Sequence, residues 1–344
     1  AHSTGNLIGS TTPADSTSWN AIVNVEDNTY SVGSVQGIRP STTDGDYILV
    51  GTGTQVGSNQ TIGLVYIGDA NGNDNAWSTV NAEQAYNIQN NSNYGNSITS
   101  SYGPEQIDAN TIRVVGSFNV DHNAADIHGF IYTGKIDAAN DTTNGFVFYK
   151  YPGSTWTFLH STEEGLVVGN WDTTAAPDTS VPLIGTGKAF IYDVDSGTAI
   201  ADIQYPNSKS TTAYGIAKVN DNLFAITGSY SLSGEGNNTG HGYLVYYHRD
   251  TQRFSEWTSW DINDANLGNV VSHADGISYN STDNTFTLAT VALQVANGTP
   301  PVGGYLMTVQ RDADGGFGTM RWTEVNYNEN TNGITIPTSV AGDV

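Results

Sequence analysis

Three observations predict an all-β protein. Short apolar and aromatic runs alternate with turn residues, as in Tyr214-Gly215-Ile216, Leu223 to Ser229, Gly242 to Tyr247 and a last run ending near Trp257. Separated by turns such as Asn220-Asp221-Asn222 and Arg249-Asp250-Thr251, these runs read as four antiparallel strands. The unit then recurs: Gly51, Gly116, Gly169, Gly228 and Thr290 are equivalent positions at intervals of about 60 residues. No stretch keeps apolar residues at helical spacing past two turns. A single four-stranded sheet cannot bury both faces, so its copies must stack. The predicted architecture is a five-bladed β-propeller with four-stranded antiparallel blades over 31–325, after a lead-in over 1–30 and before a tail over 326–344. A β-solenoid is the competing architecture, but its coils are shorter and lack the aromatic residue that closes each unit.

The first unit contains Gln36-Gly37-Ile38, Tyr47 to Thr52, Gly63 to Ile67 and a closing Trp77. The second runs from Tyr102-Gly103 through Ile112 to Ser117 and His128 to Tyr132, ending at Phe146 to Tyr149. A third starts near Trp156 and includes Leu166 to Asn170, Lys188 to Tyr192 and Ala199 to Ile203. The fourth is the unit quoted above. The fifth has Asp275-Gly276-Ile277, Phe286 to Thr290, Gly304 to Met307 and Trp322. Closing a ring of such units needs a strand from one terminus. Trp19 to Val25 beside Trp322 is the expected partner, with Ile334-Thr335-Ile336 as competitor.

A hydrophobic fraction of 37% suffices for a core, and 39 Gly, 19 Tyr and 7 Trp suit short strands, turns and aromatic packing. The absence of Cys excludes disulfides, thiol nucleophiles and thiolate metal sites. Lys and Arg number 11 against 34 Asp and Glu, a net charge of -23 that repels phosphate backbones and anionic lipids. Nucleic-acid partners are therefore not expected, and no apolar run suggests membrane insertion. Ala1-His2 opens without a basic or apolar leader, as in a chain whose signal peptide was removed or never present. Few Lys, no Cys and much Asn, Thr, Ser, Gly and Asp point to an extracellular or cell-surface location.

The best-matching motifs are Val114 to Ser117 with His128 to Tyr132, and Ile226 to Ser229 with His241 to Tyr246. Their alternation of Gly-Ile, Val-Val-Gly-Ser and Gly-His-Gly-Tyr-Leu-Val-Tyr strands resembles the bacterial extracellular HAF repeats. Lys188 replaces the His in the third unit, and Ile62 and Gly303 stand there in the first and fifth. The resemblance implies a secreted, propeller-like protein and no particular chemistry. Five-bladed glycoside hydrolases share that architecture, but their signature carboxylate motifs do not occur at matching positions.

No G-x-S-x-G, H-E-x-x-H or phosphate-binding Gly loop is present. The first strand of each unit would line a propeller's channel, and these strands carry Gln36 and Arg39, Tyr102 and Glu105, Trp156 and His160, Tyr214 and Lys218, and His273 and Asp275. Arg39, Tyr102, Trp156, Tyr214 and His273 are the candidate ligand-binding residues, since rings stack on sugar C–H faces and charged groups bind hydroxyls. Glu105, Asp275 and His273 are the candidate catalytic residues, the two carboxyls serving as acid and base if they stand about 5–10 Å apart. The competing and simpler reading is that these polar groups hydrate an empty channel or bind an ion. Asp69, Asn71 and Asn73 place oxygens at alternate positions as calcium loops do, without the Gly and bidentate Glu of an EF-hand. The turns at Asp193 to Gly197 and Asp312 to Gly316 are similar and also fit plain hairpins. His128 and His241 share one repeat position, which favours packing or hydrogen bonding over catalysis.

The expected function is that of a secreted or cell-surface binding or structural β-propeller, with extracellular polysaccharide as the candidate ligand. The alternatives are a glycan hydrolase or lyase acting at one end of the channel, and a homo-oligomer that self-assembles into a surface array or fibre through exposed strand edges and Tyr-rich blade faces.

Overall fold

The structure, a computed structural model, describes residues 2–4, 7–10, 30–69, 77–136, 144–174, 185–235, 240–261, 270–294, 301–325 and 340–341. The protein is all-β. Two short strands come first, β1 (His2–Thr4) and β2 (Leu7–Ser10). A meander follows, made of β3 (Tyr30–Pro40), β4 (Asp46–Gln55), β5 (Thr61–Asp69) and β6 (Ser78–Val80). After the two-turn helix α1 (Glu83–Asn90) comes a second, with β7 (Ile98–Asp108), β8 (Thr111–Asn119), β9 (Ile127–Gly134) and β10 (Phe146–Tyr149). Next are β11 (Trp156–Glu163), β12 (Leu166–Asp172), β13 (Lys188–Asp193) and β14 (Thr198–Ile203). Then come β15 (Ser208–Lys218), β16 (Leu223–Leu232), β17 (His241–His248) and β18 (Arg253–Trp260). The last set is β19 (Val270–Asn280), β20 (Thr285–Gln294), β21 (Pro301–Arg311) and β22 (Phe317–Val325).

The chain forms two compact units. The first comprises Asn20–Pro182 and Tyr192–Ala199; the second comprises Ala1–Trp19, Leu183–Ile191 and Ile200–Val344. The division passes through β13 and β14, each of which has residues in both.

In the first unit, β3 to β6 pair in sequence order, as do β7 to β10, and β11 pairs with β12. A single parallel pairing, Trp156 with Ile127, joins β11 to β9. One core cluster fills the space between the two meanders: Val50, Val65 and Val80 meet Val114, Phe118 and Phe130. Ala82, Ala85 and Tyr86 of the helical segment complete this cluster. Burying each large side chain is worth about 1.5–3 kcal/mol, which offsets the ordering of so many short strands. Leu49, Leu64, Tyr66 and Trp77 form a separate cluster with Ile62. The period-2 alternation therefore gives each strand two apolar faces, as stacked sheets require.

The second unit has the same plan. The sheet β15 to β18 packs on β19 to β22 through Ala225, Leu244, Tyr246 and Trp260 on one side and Leu288, Met307 and Trp322 on the other. Each outer edge gains one parallel strand: β1 lies beside β18 with His2 opposite Trp257, and β2 beside β22 with Gly9 opposite Trp322. The strand next to Trp322 is thus Leu7–Ser10. Both segments expected there, Trp19 to Val25 and Ile334 to Ile336, lie outside the described residues.

Candidate functional site

The leading strand of every set contains one extra residue at the same place. Ladder pairing jumps between Val35 and Gly37, Ser101 and Gly103, Leu159 and Ser161, Ala213 and Gly215, and Ala274 and Gly276. The bulged residues are therefore Gln36, Tyr102, His160, Tyr214 and Asp275. Beside each bulge the second strand has Gly51, Gly116, Gly169, Gly228 or Thr290. The reason for glycine is close approach: a Cβ on Gly51, Gly116 or Gly228 would overlap the carbonyl oxygen of Ser34, Ser100 or Thr212. A bulge re-aims the side chain it carries, which is why such positions are candidates for function.

In the first unit Tyr102 is buried, and its hydroxyl lies 2.9 Å from Ser117 Oγ. Its ring stacks on His160 at 5.2 Å and 21°, with Phe158 edge-on at 6.1 Å. Trp156 is wholly buried 4.8 Å from Phe158. The faces of both rings are packed against protein. In the second unit Tyr214 is also buried, at 4% exposure. His273 lies in β19 opposite Val291, and Asp275 is that strand's bulge.

Three residues beyond the bulged position stand Arg39, Glu105 and Glu163. Arg39 Nη1 donates to Glu163 Oε2 at 2.7 Å and Nη2 to Ser161 Oγ at 3.1 Å, while Nε is 3.1 Å from the carbonyls of Pro104 and Thr162. Glu105 accepts from Arg113 Nη1 at 2.5 Å, Thr162 Oγ1 at 3.0 Å, Glu164 N at 2.7 Å and Gly165 N at 3.3 Å. Glu164 and Gly165 have φ values of 53° and 79°, so this carboxylate caps the left-handed turn joining β11 to β12. Arg39 and Glu105 thus tie the leading strands β3 and β7 to β11 and its turn. Glu105 belongs to one unit and Asp275 to the other.

Asp69 ends β5, where its carbonyl accepts from Tyr66 Oη at 3.3 Å. Asn71 and Asn73 lie outside the described residues. At Asp193, Oδ2 accepts from Ser196 N at 3.0 Å, and at Asp314, Oδ1 accepts from Gly316 N at 2.9 Å, both ordinary turn contacts. Among the described residues, no group of three or more His, Asp or Glu is set to hold a metal ion.

His128 and His241 open β9 and β17. His128 Nε2 lies 3.0 Å from Asp126 Oδ1, which also takes Lys150 Nζ at 3.0 Å. Burial is the main cause holding its pKa below the usual histidine value, with Lys150 adding to it and Asp126 opposing. His241 is held between two carboxylates, Nδ1 at 2.8 Å from Asp261 Oδ1 and Nε2 at 2.8 Å from Glu235 Oε2. The Asp261 hydrogen bond leads in pushing its pKa up to about 9; burial opposes, and Glu235 adds. Opposite ring nitrogens face the two acids, an arrangement that fixes a loop and leaves no ring lone pair for a metal.

Sequence reading did not single out Arg113, Glu163, Glu235 or Asp261, which hold these groups. The visible signal was the recurrence of a charged residue two places after the bulge glycine, at Arg39 and Glu105.

No protein-family model matches the sequence, and neither does any curated protein. Among solved structures, a glycoside hydrolase family 43 arabinoxylan arabinofuranohydrolase from Bacillus subtilis is 12% identical, with 91% of this chain and 69% of that one covered and a TM-score of 0.44. A native Bacillus subtilis arabinanase is 11% identical over 83% of this chain and 98% of its own, at a TM-score of 0.42. TolB from Acinetobacter baumannii is 9% identical over 84% of this chain and 57% of its own, at 0.41. At these values the likeness carries no inference about this chain.

Proposed function

We propose that this chain is a five-bladed β-propeller, secreted or displayed at the cell surface, that binds extracellular polysaccharide without cleaving it. The carrying observation is how Glu105 is used. A general acid must keep an oxygen free for a proton in transit. Glu105 instead meets a guanidinium, a hydroxyl and two backbone N–H groups. Such a carboxylate supports a turn rather than a reaction. Five four-stranded sets with one shared bulge support the blade count.

A glycan array combined with a reducing-sugar assay tests this reading. Binding without sugar release is the expected result. Glu105→Gln is expected to lower stability by about 1–3 kcal/mol, because a charged acceptor of several hydrogen bonds is lost. Release of sugar that this substitution abolishes, in a protein that still melts normally, would overturn the proposal in favour of a hydrolase.

A further inference from the structure

The first unit contains a cavity of about 330 Å3, at the end of the sheets where β7 turns into β8. Its floor is aliphatic: Ile67 from β5, Ile112 from β8, and Ile136 just beyond β9. Around the rim stand Gln106, Asn110 and Lys135. The size lies at the low end of the ~300–1,000 Å3 of small-molecule sites.

The rim is biased towards donors. Gln106 Oε1 already accepts from Ser41 Oγ at 2.6 Å and Thr42 N at 3.1 Å. This fixes the amide's orientation and leaves its Nε2 as the donating end. Lys135 is anchored through its backbone, whose carbonyl accepts from Tyr132 Oη at 2.6 Å. Arg39, Arg113, Lys150 and Lys218 each pair with a carboxylate, whereas no carboxylate among the described residues lies within ion-pair distance of Lys135. Lys135 is solvent-exposed, so an anion arriving from solution can reach this rim of a chain with 11 basic against 34 acidic residues. Asp108, next to this rim, is turned into its own hairpin, where Asn110 N donates to Oδ1 at 2.8 Å.

We propose that this cavity binds an acidic sugar residue, a uronate. The sugar's C–H face would lie on the three isoleucines, its carboxylate at Lys135 and a ring hydroxyl against the Gln106 amide. This assignment rests on the polysaccharide-binding reading above and narrows it to anionic glycans. An apolar floor suits the weakly polar face of a pyranose, and a cation with amide donors suits a carboxylate better than a neutral hydroxyl.

The test is a calorimetric titration of the full chain with methyl β-glucuronide, using methyl β-glucoside and acetate as comparison ligands. The glucuronide should bind saturably and at least about tenfold more tightly than either, a difference of about 1.4 kcal/mol. Lys135→Gln, a change at an exposed residue, should remove about that tenfold preference while the melting temperature stays put. Equal binding of glucoside would overturn the role of the carboxylate, and equal binding of acetate would overturn the role of the sugar. Unchanged glucuronide affinity in Lys135→Gln would overturn the cavity as its site. On a glycan array, binding of neutral glycans that survives Lys135→Gln would overturn this proposal and leave the broader function standing. No binding to any glycan would overturn both.

Discussion

His128 and His241 occupy the same place in two copies of one motif, yet their surroundings give them opposite charge states. Both start a third strand, and both precede a glycine paired with a serine, Ser117 with Gly129 and Ser229 with Gly242. His128 shares its one carboxylate with Lys150 and is held neutral chiefly by burial. His241 faces Asp261 and Glu235 together and is held protonated. Repetition conserves the backbone position, while the loops around it decide the electrostatics.

The largest expected contrast concerns the adjoining glycines. A Cβ on Gly242 would overlap the rigid indole of Trp260, whereas one on Gly129 meets the branched end of Leu159. Gly242→Ala should therefore cost about 3 kcal/mol and Gly129→Ala about 1 kcal/mol, within the usual range for overpacking. Urea unfolding of both variants checks this, and equal losses would mean that the indole can shift as easily as leucine.

Next in size is removal of the charged clamp. With an allowance for solvent screening of a partly exposed site, His241→Asn should cost about 1–3 kcal/mol at pH 7. His128→Asn should cost less than half of that, since it removes a neutral ring with one carboxylate contact.

The pH responses should have opposite signs. The folded-state pKa of His241 lies above its unfolded value, so its contribution is complete below about pH 6.5 and is lost as pH rises through about 9. For His128 the folded value is the lower one, so its neutral form stabilises above about pH 6.5 and that contribution falls as acid is added. Urea midpoints from pH 5 to 10 should lose their alkaline slope in His241→Asn and part of their acid slope in His128→Asn. The smallest effect should come from Glu235→Gln, which leaves Asp261 as the leading partner of His241 and lowers the alkaline midpoint only modestly, as pH titration of the imidazole by NMR would show.

The strands were legible because each carries two signals at once, an apolar run and a turn at its end. Leu223 to Ser229, Ile112 to Ser117 and Phe286 to Thr290 all fall inside observed strands. The glycine spacing was legible too, since a carbonyl crowds the Cα of Gly51, Gly116 and Gly228 in three of the copies. The fate of the first-strand side chains was not. Whether Tyr102 offers a face to a ligand or packs on His160 depends on a neighbouring sheet nearly sixty residues away, which no local pattern encodes. Arg39 and Glu105 were recognisable as exceptional polar residues, but their partners Glu163 and Arg113 read as ordinary surface charges. Lys135 and Gln106 sit among unremarkable neighbours and become a pair only once β7 and β9 stand side by side around β8.

The parallel additions of β1 and β2 have a bearing on solubility. A sheet border with open amides recruits foreign chains, and fibre growth proceeds by that recruitment. Along Trp257–Ser259 and Met320–Thr323 the molecule has already filled the vacancy with its own leading residues. On that side each sheet now ends in a strand of only three or four residues, a border too short to template a long foreign strand.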